Sequence, residues 1–293
     1  MHEERFSFSS QNDGLTISAV KWSPDTDLSG ILQISHGLGE HKERYKRLAG
    51  ALTEAGFVVY ASDHRGHGET IGEGAPGDFG AGGWPALIED VKQLGEIARA
   101  SYEGAPLALL GHSMGSFAAQ ALLFDHADKV DACVLSGSSD MPALAQMAMS
   151  GADMSFAGLN AAFAPARTDF DWLSRDEAEV DKYIADPLCG FEAPPETTMA
   201  MMADAMRAGD AKEYEKLRSD LPIYIVSGRD DPLCGGGELV EILGTRYHKG
   251  GVKDVSVKLY DGARHELFNE TNRDEVTNDL IAWLDERLKQ RLN

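Results

Sequence analysis

Leu107-Ala108-Leu109-Leu110-Gly111-His112-Ser113-Met114-Gly115-Ser116-Phe117-Ala118-Ala119-Gln120 is the stretch whose reading decides the fold. Its first four residues are a short continuous apolar run, the pattern of a strand buried on both faces. From Ser116 to Asp125 the composition and spacing are those of a buried helix. Between the two stands G-x-S-x-G, a serine with a glycine on either side. Those glycines permit a sharp strand-to-helix turn that lifts the Ser113 hydroxyl above the sheet edge. The helix then points its free N–H groups at whatever the hydroxyl attacks. A serine that only capped the helix would require neither glycine, so Ser113 is the candidate nucleophile.

Outward from this turn, strands alternate with helices. Arg5 to Ser9 and Leu15 to Trp22 read as a hairpin around Asn12-Asp13-Gly14. Ile31 to Ser35 is a strand, Glu43 to Ala55 a helix closed by Gly56, and Phe57 to Ala61 a buried strand. A helix from Pro85 to Tyr102 leads into the nucleophile strand, and Ala132 to Leu135 follows the nucleophile helix. From about Asp140 to Ser219 there are helical stretches and loops without a convincing strand. Alternation resumes with the strand Ile223 to Val226, a helix Glu238 to Tyr247, the strand Val255 to Tyr260 and a helix Asp274 to Leu292. The pattern predicts an α/β fold with a mostly parallel, doubly wound sheet and active groups beyond the strands' C-terminal ends. Residues 1–139 and 220–293 form its core, and 140–219 a helical lid inserted between them.

A length of 293 residues suits one large α/β domain carrying such an insertion. No stretch approaches the roughly 18 uninterrupted apolar residues of a membrane span. The opening MHEERFSFSSQNDG is polar and acidic, unlike a signal peptide. Cys133, Cys189 and Cys234 show no C-x-x-C spacing, which favours neither a disulfide framework nor a zinc site and suits a reducing, cytoplasmic location. The net charge of −21 makes nucleic acid a poor partner and disfavours adhesion to anionic membranes.

The insertion is rich in methionine: Met141, Met147, Met149, Met154, Met199, Met201, Met202 and Met206 lie within it, with Phe156 and Phe163. Methionine adapts to varied apolar partners, so these residues either pack the lid onto the body or line an acyl pocket.

A serine hydroxyl needs a histidine to take its proton and a carboxylate to orient that histidine. On this architecture the chain order is serine, acid, histidine. Of the histidines after Ser113, His126 stands at the far end of the nucleophile helix and His248 at the wrong edge of the sheet, leaving His265 as the base. The acid belongs in Ser227-Gly228-Arg229-Asp230-Asp231-Pro232-Leu233, where the spacing favours Asp231 and leaves Asp230 as the alternative. The oxyanion needs two N–H donors. Met114, directly after the nucleophile, is one, and Leu38, between the glycines of His36-Gly37-Leu38-Gly39, is the other.

HGLGEHKERY (His36 to Tyr45), SDHRGHGET (Ser62 to Thr70), GHSMGS (Gly111 to Ser116), GRDDPLC (Gly228 to Cys234) and GARHELFNE (Gly262 to Glu270) together resemble the monoacylglycerol lipase and lysophospholipase branch of the α/β-hydrolases, which is grouped with the serine aminopeptidases. The likeness spans nearly the whole chain, with the lid its least similar part. It implies a triad of Ser113, Asp231 and His265, oxyanion donors at Leu38 and Met114, a mobile lid over an acyl tunnel, transient contact of the lid with lipid interfaces, and no cofactor. Ser116 departs from the pattern, where monoacylglycerol lipases usually carry a second glycine.

Other residues have plainer readings. His36, His41, His64 and His67 read as hydrogen-bonding residues of glycine-rich loops, so no metal is expected. Glu40 and Arg44, four residues apart, read as a helix-start ion pair. Gly72 to Gly77 lacks the Lys-Ser/Thr ending of a phosphate loop. Cys234, near the acid, is a candidate lining residue. The expected activity is hydrolysis of carboxylic esters, foremost monoacylglycerols or lysophospholipids. The alternatives on this scaffold are a small-ester carboxylesterase, a thioesterase or a serine aminopeptidase. A catalytically silent ligand-binding protein would have no use for the base at His265.

Overall fold

The structure, a computed structural model, describes residues 1–71 and 74–288, with Met202 described by its backbone alone. Eight strands form a single sheet in the order β1-β2-β4-β3-β5-β6-β7-β8. They are β1 (His2–Ser9), β2 (Thr16–Ser23), β3 (Gly30–Ser35), β4 (Phe57–Ser62), β5 (Leu107–His112), β6 (Ala132–Ser136), β7 (Ile223–Gly228) and β8 (Val255–Tyr260). The hairpin β1–β2 is antiparallel, β2 runs antiparallel to β4, and every later pairing is parallel.

Strand β5 shows why the sheet is covered on both sides. Leu107 and Leu109 enter one apolar layer with Leu87, Val91 and Leu94, while Ala108 and Leu110 enter the other with Leu48, Leu52, Leu280 and Leu284. Residues two apart along a strand share a face, so a continuous apolar run feeds both layers. Helices α2 (Gly83–Ser101), α3 (Met114–His126) and α9 (Glu238–Lys249) cover the first face, and α1 (Lys46–Glu54) and α10 (Arg273–Leu288) the second. The stretch anticipated as one helix from Glu43 begins instead with a 3-10 turn, Lys42–Tyr45, before α1. The last helix was expected to reach Leu292; residues 289–292 lie outside those described.

Between β6 and β7 the chain forms α4 (Met141–Met149), α5 (Phe156–Asn160), α6 (Glu177–Ala185), α7 (Pro195–Arg207) and α8 (Ala211–Glu215). The sheet reverses direction around β3, which has β4 on one side and β5 on the other. The loops leaving β3 and β5 therefore part at a topological switch point, where open α/β sheets form their binding crevice.

Candidate active site

Gly111 and Gly115 are required by close approach. A Cβ on Gly111 would stand 2.4 Å from the Gly115 carbonyl oxygen, and one on Gly115 would stand 2.0 Å from that of Ser35. Between them Ser113 adopts φ 52° and ψ −122°, and among the described residues it is the single non-glycine with positive φ. Such strain is retained only where packing over-determines it, and it concentrates at functional positions. Ser116 takes part in holding this turn: its Oγ donates to the Ser113 carbonyl at 2.6 Å and lies 2.8 Å from Ser138 Oγ, which also accepts from Gln120 Nε2. A glycine at 116 would supply none of these bonds.

The His265 ring is buried, and its Nδ1–H donates to Asp231 Oδ2 at 2.8 Å. Asp231 Oδ1 accepts the Leu233 N–H at 2.9 Å, which fixes the carboxylate. Asp230 is exposed, and its own N–H is spent on the Ala263 carbonyl. Ser113 and His265 line one cavity of about 220 Å³, together with Leu38, Met114 and His112. No hydrogen bond joins Ser113 Oγ to the ring in this arrangement; contacts of that kind commonly tighten when substrate arrives. The backbone N–H groups of Leu38 and Met114 are not spent on other backbone acceptors among the described residues. His126 pairs with Glu89 and His248 with the Val252 carbonyl, both away from this cavity.

Glu40 does more than begin a helix. Its Oε1 accepts the Gly37 N–H at 2.6 Å and the Tyr45 hydroxyl at 2.8 Å, bracing the loop that carries Leu38. Its Oε2 accepts from Arg44 at 3.0 Å, and Arg44 also grips both oxygens of Glu266, the residue after His265. Two carboxylates thus share one largely buried guanidinium close to His265. Burial alone would lower the His265 pKa, but Asp231 first, then Glu266 and Glu40, raise it above the ordinary 6.5. The Trp172 ring lies tilted against the His265 ring, centroids 4.7 Å apart at an interplanar angle of 36°, and the N–H groups of His265 and Glu266 donate to the Trp172 and Leu173 carbonyls. Nothing in the spacing of the sequence marks Trp172 or Glu266 for these places.

The methionines divide. Met141, Met154 and Met201 line the cavity, while Met147, Met149, Met199 and Met206 are exposed; the side chain of Met202 is outside the description. Cys234 does not line the cavity: it is buried beneath the loop of Asp230 and Asp231 with Sγ 3.1 Å from the Gly228 carbonyl.

His36, His64 and His67 form a buried group beside this site, with ring centroids 4.1 Å apart for His36 and His64 and 5.1 Å for His36 and His67. Burial drives His64 down to about 3, and His67 and His112 to about 4, from the ordinary 6.5. An unfolded chain protonates these rings below 6.5, whereas the folded chain refuses those protons until the lower values. Stability is therefore full above 6.5 and is lost as pH falls toward 4, at about 1.4 kcal/mol per pH unit for each ring. His265 acts in the opposite sense, but its window lies above 6.5. The thermal midpoint is expected to fall steadily between pH 6.5 and 4 in calorimetry; a flat profile there would contradict neutral buried rings.

The profile of the Serine aminopeptidase, S33, family matches residues 26–272. A monoacylglycerol lipase of Mycolicibacterium smegmatis is 31% identical over 280 residues, covering 92% of this chain and 93% of its own. A monoglyceride lipase of Homo sapiens is 28% identical, covering 95% of this chain and 88% of its own. Among solved structures, a highly thermostable carboxyl esterase from Bacillus coagulans in complex with glycerol is similar at a TM-score of 0.85 and 30% identity, over 98% of this chain and 99% of that one.

Proposed function

Since the chain belongs to the Serine aminopeptidase, S33, family of α/β-hydrolases, we propose that it is a carboxylic ester hydrolase acting on monoacylglycerols or lysophospholipids. In this reading Ser113 attacks the ester carbonyl while His265 Nε2 takes its proton and Asp231 holds the resulting imidazolium. The N–H groups of Leu38 and Met114 receive the oxyanion. His265 then returns the proton to the leaving alcohol, and a water activated by the same ring releases the acyl group.

The observation that carries the substrate reading is the wall of the cavity beyond Ser113. Met141, Leu144, Met154, Leu159, Leu173 and Met201 line it, a surface for an acyl chain. An aminopeptidase needs an unpaired carboxylate to receive a free amine, but Glu40 and Glu266 are both engaged by Arg44. Residues 140–219 serve as a lid in this proposal. Their exposed Met149, Met199 and Met206 support brief contact with lipid aggregates. The thiols of Cys133 and Cys234, buried and unpaired, suit a reducing cytoplasm.

A series of nitrophenyl esters of increasing acyl length, run beside amino-acid nitroanilides, tests this reading. The expected result is kcat/KM rising from acetyl to medium chains by about 10-fold or more, since each buried methylene contributes about 0.8 kcal/mol. Faster cleavage of the nitroanilides than of any ester would replace the lipid reading with the peptidase one.

A further inference from the structure

We propose that His41, Asp186 and Cys189 form a binding site for a borderline-soft divalent cation of the Zn²⁺ or Co²⁺ type, bridging the helical insertion and the loop that carries Leu38. The imidazole, carboxylate and thiol ligand atoms all lie within 4.8 Å of one another. His41 Nε2 and Asp186 Oδ2 are 2.8 Å apart, and Asp186 Oδ1 is already oriented by the Leu188 N–H at 2.9 Å. Cys189 is a free, half-buried thiol that packs against the apolar cluster of Leu159, Trp172 and Tyr183 and faces the polar pair at its edge.

Nitrogen, oxygen and sulfur in one set is the donor chemistry of zinc, with bonds of about 2.0, 2.1 and 2.3 Å. Those lengths place tetrahedral ligand atoms about 3.3 to 3.7 Å apart. The His41–Asp186 contact would open slightly and the thiol would close in, both small movements of side chains. Binding releases the thiol proton to solvent and shifts the imidazole proton from Nε2 to Nδ1, which frees the Nε2 lone pair for the cation. His41 and Asp186 also line a surface cavity of about 320 Å³ with Glu43, Arg44, Arg47, Glu179 and Lys182, so the two polar ligands are open to solvent through a wall of mixed charge.

Sequence spacing could not disclose this set, because 145 residues separate His41 from Asp186. Its place is specific. The Gly190 N–H donates to the Gly39 carbonyl at 3.0 Å, and a Cβ on Gly39 would meet the Phe191 carbonyl at 2.6 Å, so the insertion is seated on the same loop that the cation would hold.

The test titrates the metal-stripped full-length protein with Co²⁺ and follows the thiolate-to-cobalt charge-transfer absorption. The expected result is a band saturating at one equivalent, displaced by Zn²⁺, absent in Cys189→Ser and weakened at least 10-fold in His41→Gln. Zn²⁺ should also raise the thermal midpoint of the native protein but not of Cys189→Ser, since only a ligand favouring the folded state stabilises it. Cys189→Ala serves as a second variant if the serine fails to fold, and either is expected to hydrolyse ester within about twofold of the native rate. No charge-transfer band, or a band that persists without Cys189, overturns the proposal, whatever the substrate proves to be.

Discussion

Ser113→Ala is expected to lower ester turnover by about a million-fold and to remove labelling by a fluorophosphonate probe. The size follows from interdependence: without the hydroxyl, the base and the oxyanion donors have no covalent step to assist, and only their residual effect on water attack remains. The backbone at 113 already sits at φ 52° with a side chain present, so alanine adds no new strain and the variant is expected to fold. Circular dichroism and the thermal midpoint check that. Labelling that survives in a folded Ser113→Ala protein would place the nucleophile elsewhere.

Asp231→Asn is expected to cost about 10,000-fold in kcat, and Asp230→Asn less than about threefold. The two side chains are neighbours with opposite surroundings. Asp231 is 1% exposed and accepts from His265 Nδ1, while Asp230 is exposed to solvent. An asparagine at 231 can turn its amide toward the ring and stabilise the tautomer whose Nε2 carries the proton, which cannot accept from serine. Removing the carboxylate also removes the foremost charge that raises the His265 pKa. The residual activity of Asp231→Asn should therefore have an acid limb at lower pH than the native enzyme, a signature that simple unfolding would not produce. The reverse ranking of the two variants would move the acid by one residue.

The strand-to-helix turn was legible because its constraint is steric and local: two glycines, each with a neighbouring backbone within van der Waals reach. The strands of the sheet were legible too, since short apolar runs bounded by turns have few other uses. The Asp230–Asp231 choice was open at the level of residues and rested on spacing and resemblance. Direction of a side chain from a loop is set by what the loop packs on, here the Leu233 N–H and the His265 ring. Glu266 was invisible for a related reason. It meets Arg44 across 222 residues of chain, so the Glu40–Arg44 spacing exposed only the local half of a three-membered ion cluster. In the insertion, methionine content foretold apolar surface without direction, and the structure distributes it between the cavity wall and the exterior. Cys234 lies near the acid in sequence but beneath it in space.

The segment from Trp172 to Arg175 belongs to the insertion by sequence and to the His265 loop by bonding. Its carbonyls receive the N–H groups of His265 and Glu266, Ser174 Oγ donates to the Asn269 carbonyl at 2.9 Å, and the Arg175 N–H donates to Glu270 Oε1 at 3.0 Å. Any movement that admits a substrate must leave these bonds standing or disturb the imidazole itself. If the proposed lid opens, residues 172–175 are the jamb on which it closes, not part of the leaf that swings.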